Sequence, residues 1–306
     1  MSFLAKTGVA IENFLGLGID VYWYGILIAG GFFLAFLLST FLSKKRAYPE
    51  DLITDLLLLS VLGAVVGARL YYVIFAWDHF YVPGSIGETL KNIVNVRQGG
   101  LAIFGGIIGG ILLMTVYAKV KKYKVWELTD MAAASLALGQ AIGRWGNFFN
   151  QEAHGALVEN PRWQFFPYAV YLDDPKGMEP AGWYQATFFY ESLWCLLMAG
   201  ILVWVFLHAK YRGQASLTYF ALYGLERGIV EWLRTDQLLI GSLPVSALLS
   251  LVLFLVSTAA LILLKIKGYT SPILFEEERR KPPKDGNHTN KKDGEDVPHG
   301  TEKEIR

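Results

Sequence analysis

The stretch from Gly143 to Gly155, G-R-W-G-N-F-F-N-Q-E-A-H-G, sets an arginine, two asparagines and a glutamate directly behind an apolar helical run. Residues 131 to 142 are nearly all apolar or small, so Arg144 falls inside or at the edge of a hydrocarbon layer. An arginine at the centre of a membrane helix costs roughly 2.5 to 3.5 kcal/mol, so it needs a partner, a wet cavity or a function. Gly139, Gly143 and Gly146 form one bare stripe on a helix, where another backbone can approach closely. Arg144 and Asn147 form a polar stripe beside it, and together the two stripes predict a helix that borders a pocket.

Composition extends this reading to the whole chain. Of 306 residues, 53% are hydrophobic and 14% aromatic; mean hydropathy is +0.35, above the soluble range for this size. Fold class follows as an all-α integral membrane protein. A net charge of +1 provides no basic field for nucleic acid. The single cysteine, Cys195, lies in an apolar run and reads as a packed structural thiol. No removable signal peptide is expected, because residues 1 to 20 carry no compact apolar core or small-residue cleavage site.

About seven apolar segments approach the roughly 20 residues needed to cross a bilayer. They lie near 21–43, 52–76, 99–118, 126–149, 185–207, 215–233 and 244–265. The third holds Gly99, Gly100, Gly105, Gly106, Gly109 and Gly110, which predicts close packing or a broken helix. Cations cluster after spans one (Lys44, Lys45, Arg46), three (Lys119, Lys121, Lys122, Lys124), five (Lys210, Arg212) and seven (Lys265, Lys267). An odd span count puts all four clusters on one side, which the positive-inside rule makes cytoplasmic. The expected organisation is an external segment 1–20, a membrane domain 21–267 with external loops 77–98 and 150–184, and a disordered cytoplasmic tail 268–306. Trp163, Phe165, Phe166, Tyr168, Tyr171, Trp183 and Tyr184 make the second loop either a folded cap or an interfacial aromatic belt. The absence of an internal repeat disfavours transporters built from duplicated halves.

The remaining polar residues indicate chemistry. Tyr219, Tyr223, Arg227, Glu231 and Arg234 share one face of a helix continued through span six, and Arg227 and Glu231 can pair. In span two, Gly63 and Gly67 precede Arg69; span one opens with Tyr22, Trp23 and Tyr24. Glu127 and Asp130 read as a solvated or dipole-favoured helix start. Arg69, Arg144, Arg227 and Arg234 all fall in the outer half of their spans, with few carboxylates expected to neutralise them. Four guanidiniums at one depth imply an anion, and their planar forks suit phosphate. A phospholipid head group at the outer leaflet is the simplest such anion. On residues alone, a lipid-modifying enzyme and an anion transporter or flippase both remain open.

The run Gly143, Arg144, Gly146, Asn147, Phe148, Asn150, Glu152 and Gly155 resembles the signature of the bacterial prolipoprotein diacylglyceryl transferases. Tyr24-Gly25, the Gly67-x-Arg69 step, and Tyr223-Gly224 leading to Arg227, Glu231 and Arg234 agree in order and spacing, as does Gln98-Gly99-Gly100 ending in Gly105-Gly106. The resemblance covers residues 20–265. It implies seven transmembrane helices, an outward N-terminus, a small external head domain, and a place in the bacterial plasma (inner) membrane. The implied reaction moves the diacylglyceryl group of phosphatidylglycerol onto the lipobox cysteine of a prolipoprotein and releases glycerol 1-phosphate, as the first step of lipoprotein maturation. Its partners are phosphatidylglycerol, prolipoprotein signal peptides and membrane lipids. No cofactor is implied, and no Cys/His cluster has metal-ligand spacing. Arg144 and Arg227 are expected to grip phosphate and leaving group, with Tyr24, Asn147 and Glu152 orienting the reactants. Asn150, Gly155, Arg69, Tyr223, Glu231 and Arg234 are expected to complete the lipid site. Where many relatives carry a histidine proposed as a base, this chain has Phe104, so His154 or Tyr24 is the candidate proton acceptor.

Overall fold

Long apolar runs closed by cationic turns fold as helices because, inside lipid, only intra-segment hydrogen bonding satisfies the backbone. The computed structural model describes residues 8–13, 16, 20–46, 48–95, 99–175, 179–234, 239–240 and 243–271. Helices α1 (Trp23–Lys45), α2 (Asp51–Phe75), α3 (Ile86–Val94), α4 (Ile103–Val120), α5 (Val125–Phe149), α6 (Thr187–Leu207), α7 (Gln214–Val230) and α8 (Val245–Ile266) dominate the chain. Four of them, α1, α2, α6 and α8, are long and apolar enough to cross a bilayer, and α4 carries a shorter apolar stretch. Their outward faces present Phe32, Phe33, Leu58, Ile74, Leu197 and Val256. Apolar surface this continuous marks a lipid-facing, multi-pass membrane protein rather than one bathed in water.

Helix α5 is the hub. Ala133, Ala134, Ala137 and Ala141 are buried on it, and their small side chains let α1, α6 and α7 pack against it. Helix α2 packs chiefly on α4, and α7 on α8. The glycine-rich α4 is unbroken, and its glycines serve contact. A Cβ on Gly109 would stand 2.1 Å from the Gly63 carbonyl oxygen, and one on Gly67 would stand 2.3 Å from that of Gly105. The two Gly-x-x-x-Gly steps therefore interlock backbone against backbone. Gly139 and Gly143 do not: a Cβ on either meets nothing within 4 Å, and both line an apolar groove of about 450 Å³ between α1, α2, α4 and α5. The bare stripe on α5 thus borders open space at Gly139 and Gly143, while its third member, Gly146, is covered by a side chain of α1.

Three short antiparallel pairs accompany the helices: β1 (Val9–Ile11) with β2 (Val21–Tyr22), β3 (Ala169–Leu172) with β4 (Gly182–Gln185), and β5 (Leu239–Ile240) with β6 (Leu243–Pro244). The aromatic loop after α5 is folded around the β3–β4 pair, with Leu172, Tyr184 and Phe188 in a small core. Loop 77–98 contains α3, capped where the Ser85 hydroxyl accepts from the Glu88 amide at 3.3 Å. Ser-x-x-Glu is a helix-start signal, so the sequence encodes the start of this helix locally.

Two further expectations are corrected at the opposite end of the bundle. Asp130 is not solvated but fully buried. Its carboxylate accepts from the Gly213 amide at 2.8 Å and from the Ser216 amide and hydroxyl at 2.8 Å each, so it caps α7 from a neighbouring helix. Arg46, counted among the interfacial cations, is buried; it donates to the Phe206 carbonyl at 2.9 Å and lies over that ring. The tail beyond residue 271, most of segment 1–20, and Gln98 lie outside the described residues.

Candidate active site

Arg144 enters the bundle from the last turns of α5. Its position is set by the α5–α6 contact: the Trp145 indole donates to the Ser192 hydroxyl at 3.1 Å, and that hydroxyl donates to the Ala141 carbonyl at 2.7 Å. In this register Arg144 Nη2 stands 2.5 Å from Oε2 of Glu191, a fully buried carboxylate in the first turn of α6. Arg227 Nη1 approaches the same oxygen at 3.8 Å, and Arg234 Nη1 approaches Glu191 Oε1 at 3.8 Å. Arg227 Nη2 also pairs with Glu231 Oε2 at 2.9 Å. Three guanidiniums from three places in the chain thus converge on one carboxylate. The contacts are ionic rather than directional: neither Glu191 oxygen accepts an aligned hydrogen bond, and Arg227 Nη1 donates none. Arg227 Nη1 is thus a buried donor without an acceptor among the described residues, a state that costs about 1–3 kcal/mol and that an oxygen placed there would relieve.

The chain turn after α5 forms the next wall. Gln151 and Ala153 hold φ values of 52° and 56°, left-handed conformations that cost of order 1–3 kcal/mol and persist only when the surroundings enforce them. The enforcement is visible: the Glu152 amide donates to the Asn147 carbonyl at 3.0 Å, Gln151 Oε1 accepts from the Asp174 amide at 2.8 Å, and the Thr187 hydroxyl donates to the Ala153 carbonyl at 2.6 Å. This turn folds Glu152 back so that Oε1 accepts from Asn147 Nδ2 at 3.3 Å and Asn150 Nδ2 at 3.0 Å. Gly155 pairs with Arg234 as an antiparallel bridge. A Cβ there would come within 2.8 Å of the Gln185 side chain, so only glycine admits this approach. The Tyr24 ring covers Gly146, where a Cβ would lie 2.6 Å from ring carbon Cδ2. Tyr223 stacks on Tyr219 with ring centroids 5.7 Å apart.

Of the four arginines expected to converge, three do. Arg69 is committed elsewhere, donating to the carbonyls of Asn92, Ile93, Asn95, Gly99 and Gly100 at 2.7 to 2.9 Å and lying over the Phe80 ring. It ties the connection between α3 and α4 to α2. Arg234 reaches the cluster by a route other than the expected helical face. Helix α7 ends at Val230, a 3-10 turn follows, and Arg234 itself is extended. His154 is buried: its ring packs on Tyr184, Nδ1 lies 3.2 Å from the Gly155 carbonyl oxygen, and Glu179 stands at 3.9 Å. Phe104, in the first turn of α4, is exposed. The expectation of few carboxylates fails on Glu191, the only charged residue in α6, and on Glu226, which is buried within electrostatic reach of Glu191 and all three arginines. The rule applied to the arginines, that a charge inside an apolar run needs a partner, would have found Glu191.

An apolar helical bundle with a buried cluster of arginines and carboxylates at one end defines a multi-pass membrane protein with a buried charged site. The family model described as prolipoprotein diacylglyceryl transferase matches residues 12–263. The chain is 40% identical over 259 residues to a phosphatidylglycerol–prolipoprotein diacylglyceryl transferase of Bacillus cytotoxicus, covering 84% of this chain and 93% of the relative. It is 42% identical over 231 residues to one from Clostridium botulinum, covering 75% and 88%. It is 40% identical over 263 residues to one from Finegoldia magna, covering 86% and 96%. The chain belongs to the prolipoprotein diacylglyceryl transferase family.

Proposed function

We propose that this chain transfers the diacylglyceryl group of phosphatidylglycerol to the cysteine thiol of a prolipoprotein lipobox. The carrying observation is the convergence of Arg144, Arg227 and Arg234 on buried Glu191. The donor's phosphodiester enters against the open guanidinium edges, and one acyl chain follows the apolar groove that begins beside Arg144 at Gly143. The thiol sulfur attacks the glyceryl carbon bearing the phosphate, a carbon–sulfur bond forms, and the carbon–oxygen bond breaks. Its electron pair leaves on the oxygen of glycerol 1-phosphate. Charge grows on that phosphate in the transition state, and arginines fixed in a partly dry site stabilise it without reorganising.

Arg144 and Arg227 hold the phosphate and leaving group, Arg234 and Glu231 complete the charged wall, and Tyr223 lines it. Asn147, Asn150 and Glu152 form a ready-made hydrogen-bonding edge that orients the glycerol hydroxyls. Tyr24 closes the opposite side, and Gly155 keeps the Arg234 strand close. Arg69 acts from outside, by positioning the start of α4. His154, buried in the segment after α5, supports that segment, which leaves the thiol proton to pass to the departing phosphate. A phosphate monoester has a second pKa near 6, so the leaving group can accept a proton in place of the base that Phe104 cannot supply.

The surrounding architecture is seven spans in the bacterial inner membrane, with the N-terminus outside, the C-terminus cytoplasmic, the site toward the outer leaflet, and segment 150–184 as an external head. Purified protein given phosphatidylglycerol and a lipobox peptide should release glycerol phosphate and yield a thioether-linked lipopeptide. Movement of lipid between leaflets with neither product would identify a transporter instead.

A further inference from the structure

A second charged cluster, this one around a cleft, lies at the other end of α5. Glu127 is 17 residues before Arg144, about 26 Å at 1.5 Å per residue, close to the ~30 Å thickness of a bilayer core. There a cleft of about 300 Å³ is bordered by Arg46, Lys122, Lys124 and Arg212, with Glu127 as the only carboxylate on its wall among the described residues. Glu127 is taken up by an ion pair with Arg212, and buried Arg46 is held in place by the Phe206 carbonyl and ring. Lys122 and Lys124 are exposed and form no ion pair with an acidic side chain among the described residues.

Lys122 occupies its position at a conformational cost. It sits just past α4 with φ 60°, and the Tyr123 amide closes the turn on the Ala118 carbonyl at 2.8 Å. This is the helix-terminating geometry that glycine fills without strain. Packing therefore favours glycine, and what lysine adds is a cation on the pocket rim. On either side of the turn, Val120 and Trp126 are exposed, as residues immersed at the edge of a bilayer are. A basic cleft between apolar flanks suits an amphiphilic anion better than a free one.

We infer that this cleft binds the phosphate of an anionic phospholipid from the leaflet opposite the transfer site. The inference rests on the membrane orientation proposed above, but not on the transfer chemistry. It is tested by native mass spectrometry of the purified full chain titrated with dioleoyl phosphatidic acid or dioleoyl phosphatidylcholine, for wild type, K122G/K124Q and R144A. Wild type should prefer the anionic lipid. K122G/K124Q should bind one phosphatidic acid about thirtyfold more weakly, from ~2 kcal/mol for two surface cations at 1.4 kcal/mol per tenfold. Its melting temperature should hold or rise, because glycine relieves the strained turn, and R144A should keep the lipid that the double variant loses. Unchanged lipid binding by K122G/K124Q overturns the inference. So does a wild-type thermal shift as large with inorganic phosphate as with the lipid. Loss of transfer by any variant bears on the catalytic reading alone.

Discussion

Truncating Arg144 removes two things at once, and a second substitution separates them. The guanidinium is the nearest counter-ion to Glu191, at 2.5 Å, while Arg227 and Arg234 stand off at 3.8 Å. Breaking a buried pair by removing one member costs about 3–5 kcal/mol, because a charge is left uncompensated. Arg144→Ala should lower stability by that order. The same side chain is also assigned two charge-assisted hydrogen bonds to the donor phosphate, at ~1.5–3 kcal/mol each. At 1.36 kcal/mol per tenfold, their loss lowers kcat/KM for transfer by about 10²–10⁴-fold. Adding Glu191→Gln removes the orphaned charge and should restore most of the stability, yet transfer should remain at least about 10²-fold down. Thermal unfolding in lipid nanodiscs reads the first effect, and release of glycerol phosphate with a lipobox peptide reads the second. If Arg144→Ala/Glu191→Gln recovered transfer together with stability, Arg144 would be no more than a counter-ion to Glu191, and its assignment to the phosphate would be refuted.

Three further outcomes follow from particular contacts. Gly63→Ala and Gly109→Ala drive a methyl to within 2.1–2.5 Å of a facing carbonyl oxygen and should each cost at least about 1–3 kcal/mol. Gly200→Ala on α6, where a Cβ meets nothing within 4 Å, should be neutral or gain up to about 1 kcal/mol of helix propensity in the same unfolding assay. Tyr24→Phe keeps the ring on Gly146 and should reduce transfer without moving the melting temperature, whereas Gly146→Ala displaces the ring and should lower both. Burial, followed by the Glu179 carboxylate, raises the Tyr184 hydroxyl above its ordinary pKa. Its contribution is therefore intact below about pH 10 and is lost as pH rises through the higher folded value. Tyr184→Phe should flatten the alkaline limb of a melting-temperature profile. At neutral pH it should cost about 1 kcal/mol, from the hydrogen bond to the Pro180 carbonyl.

Helix placement was readable from hydropathy because lipid imposes one demand on every residue of a span, and a local demand leaves a local trace. The third span shows the limit of such traces. Its glycine density signalled either a break or a close contact, and only the opposing pair Gly63 and Gly67 on α2 decides for contact. Asp130 shows the same limit. One turn into α5 it reads as a helix-start charge, but its partners, Gly213 and Ser216, lie more than 80 residues away.

The candidate site divides along the same line. Sequence alone determined that charge sits where lipid should be, at Arg144, Arg227 and Arg234, because desolvation makes such residues conspicuous whatever surrounds them. It also determined the Arg227–Glu231 pairing, since one helical turn brings the two side chains together. Tertiary structure alone decided that Arg69 is spent on backbone carbonyls and that Glu191 is where the other three guanidiniums meet. It also decided that Arg234 arrives through a turn rather than along a helix. Those outcomes depend on how α5, α6 and α7 are registered against one another, through contacts such as Trp145 to Ser192. Charge meeting charge across helices is a property of that packing, and no periodicity within a single helix encodes it.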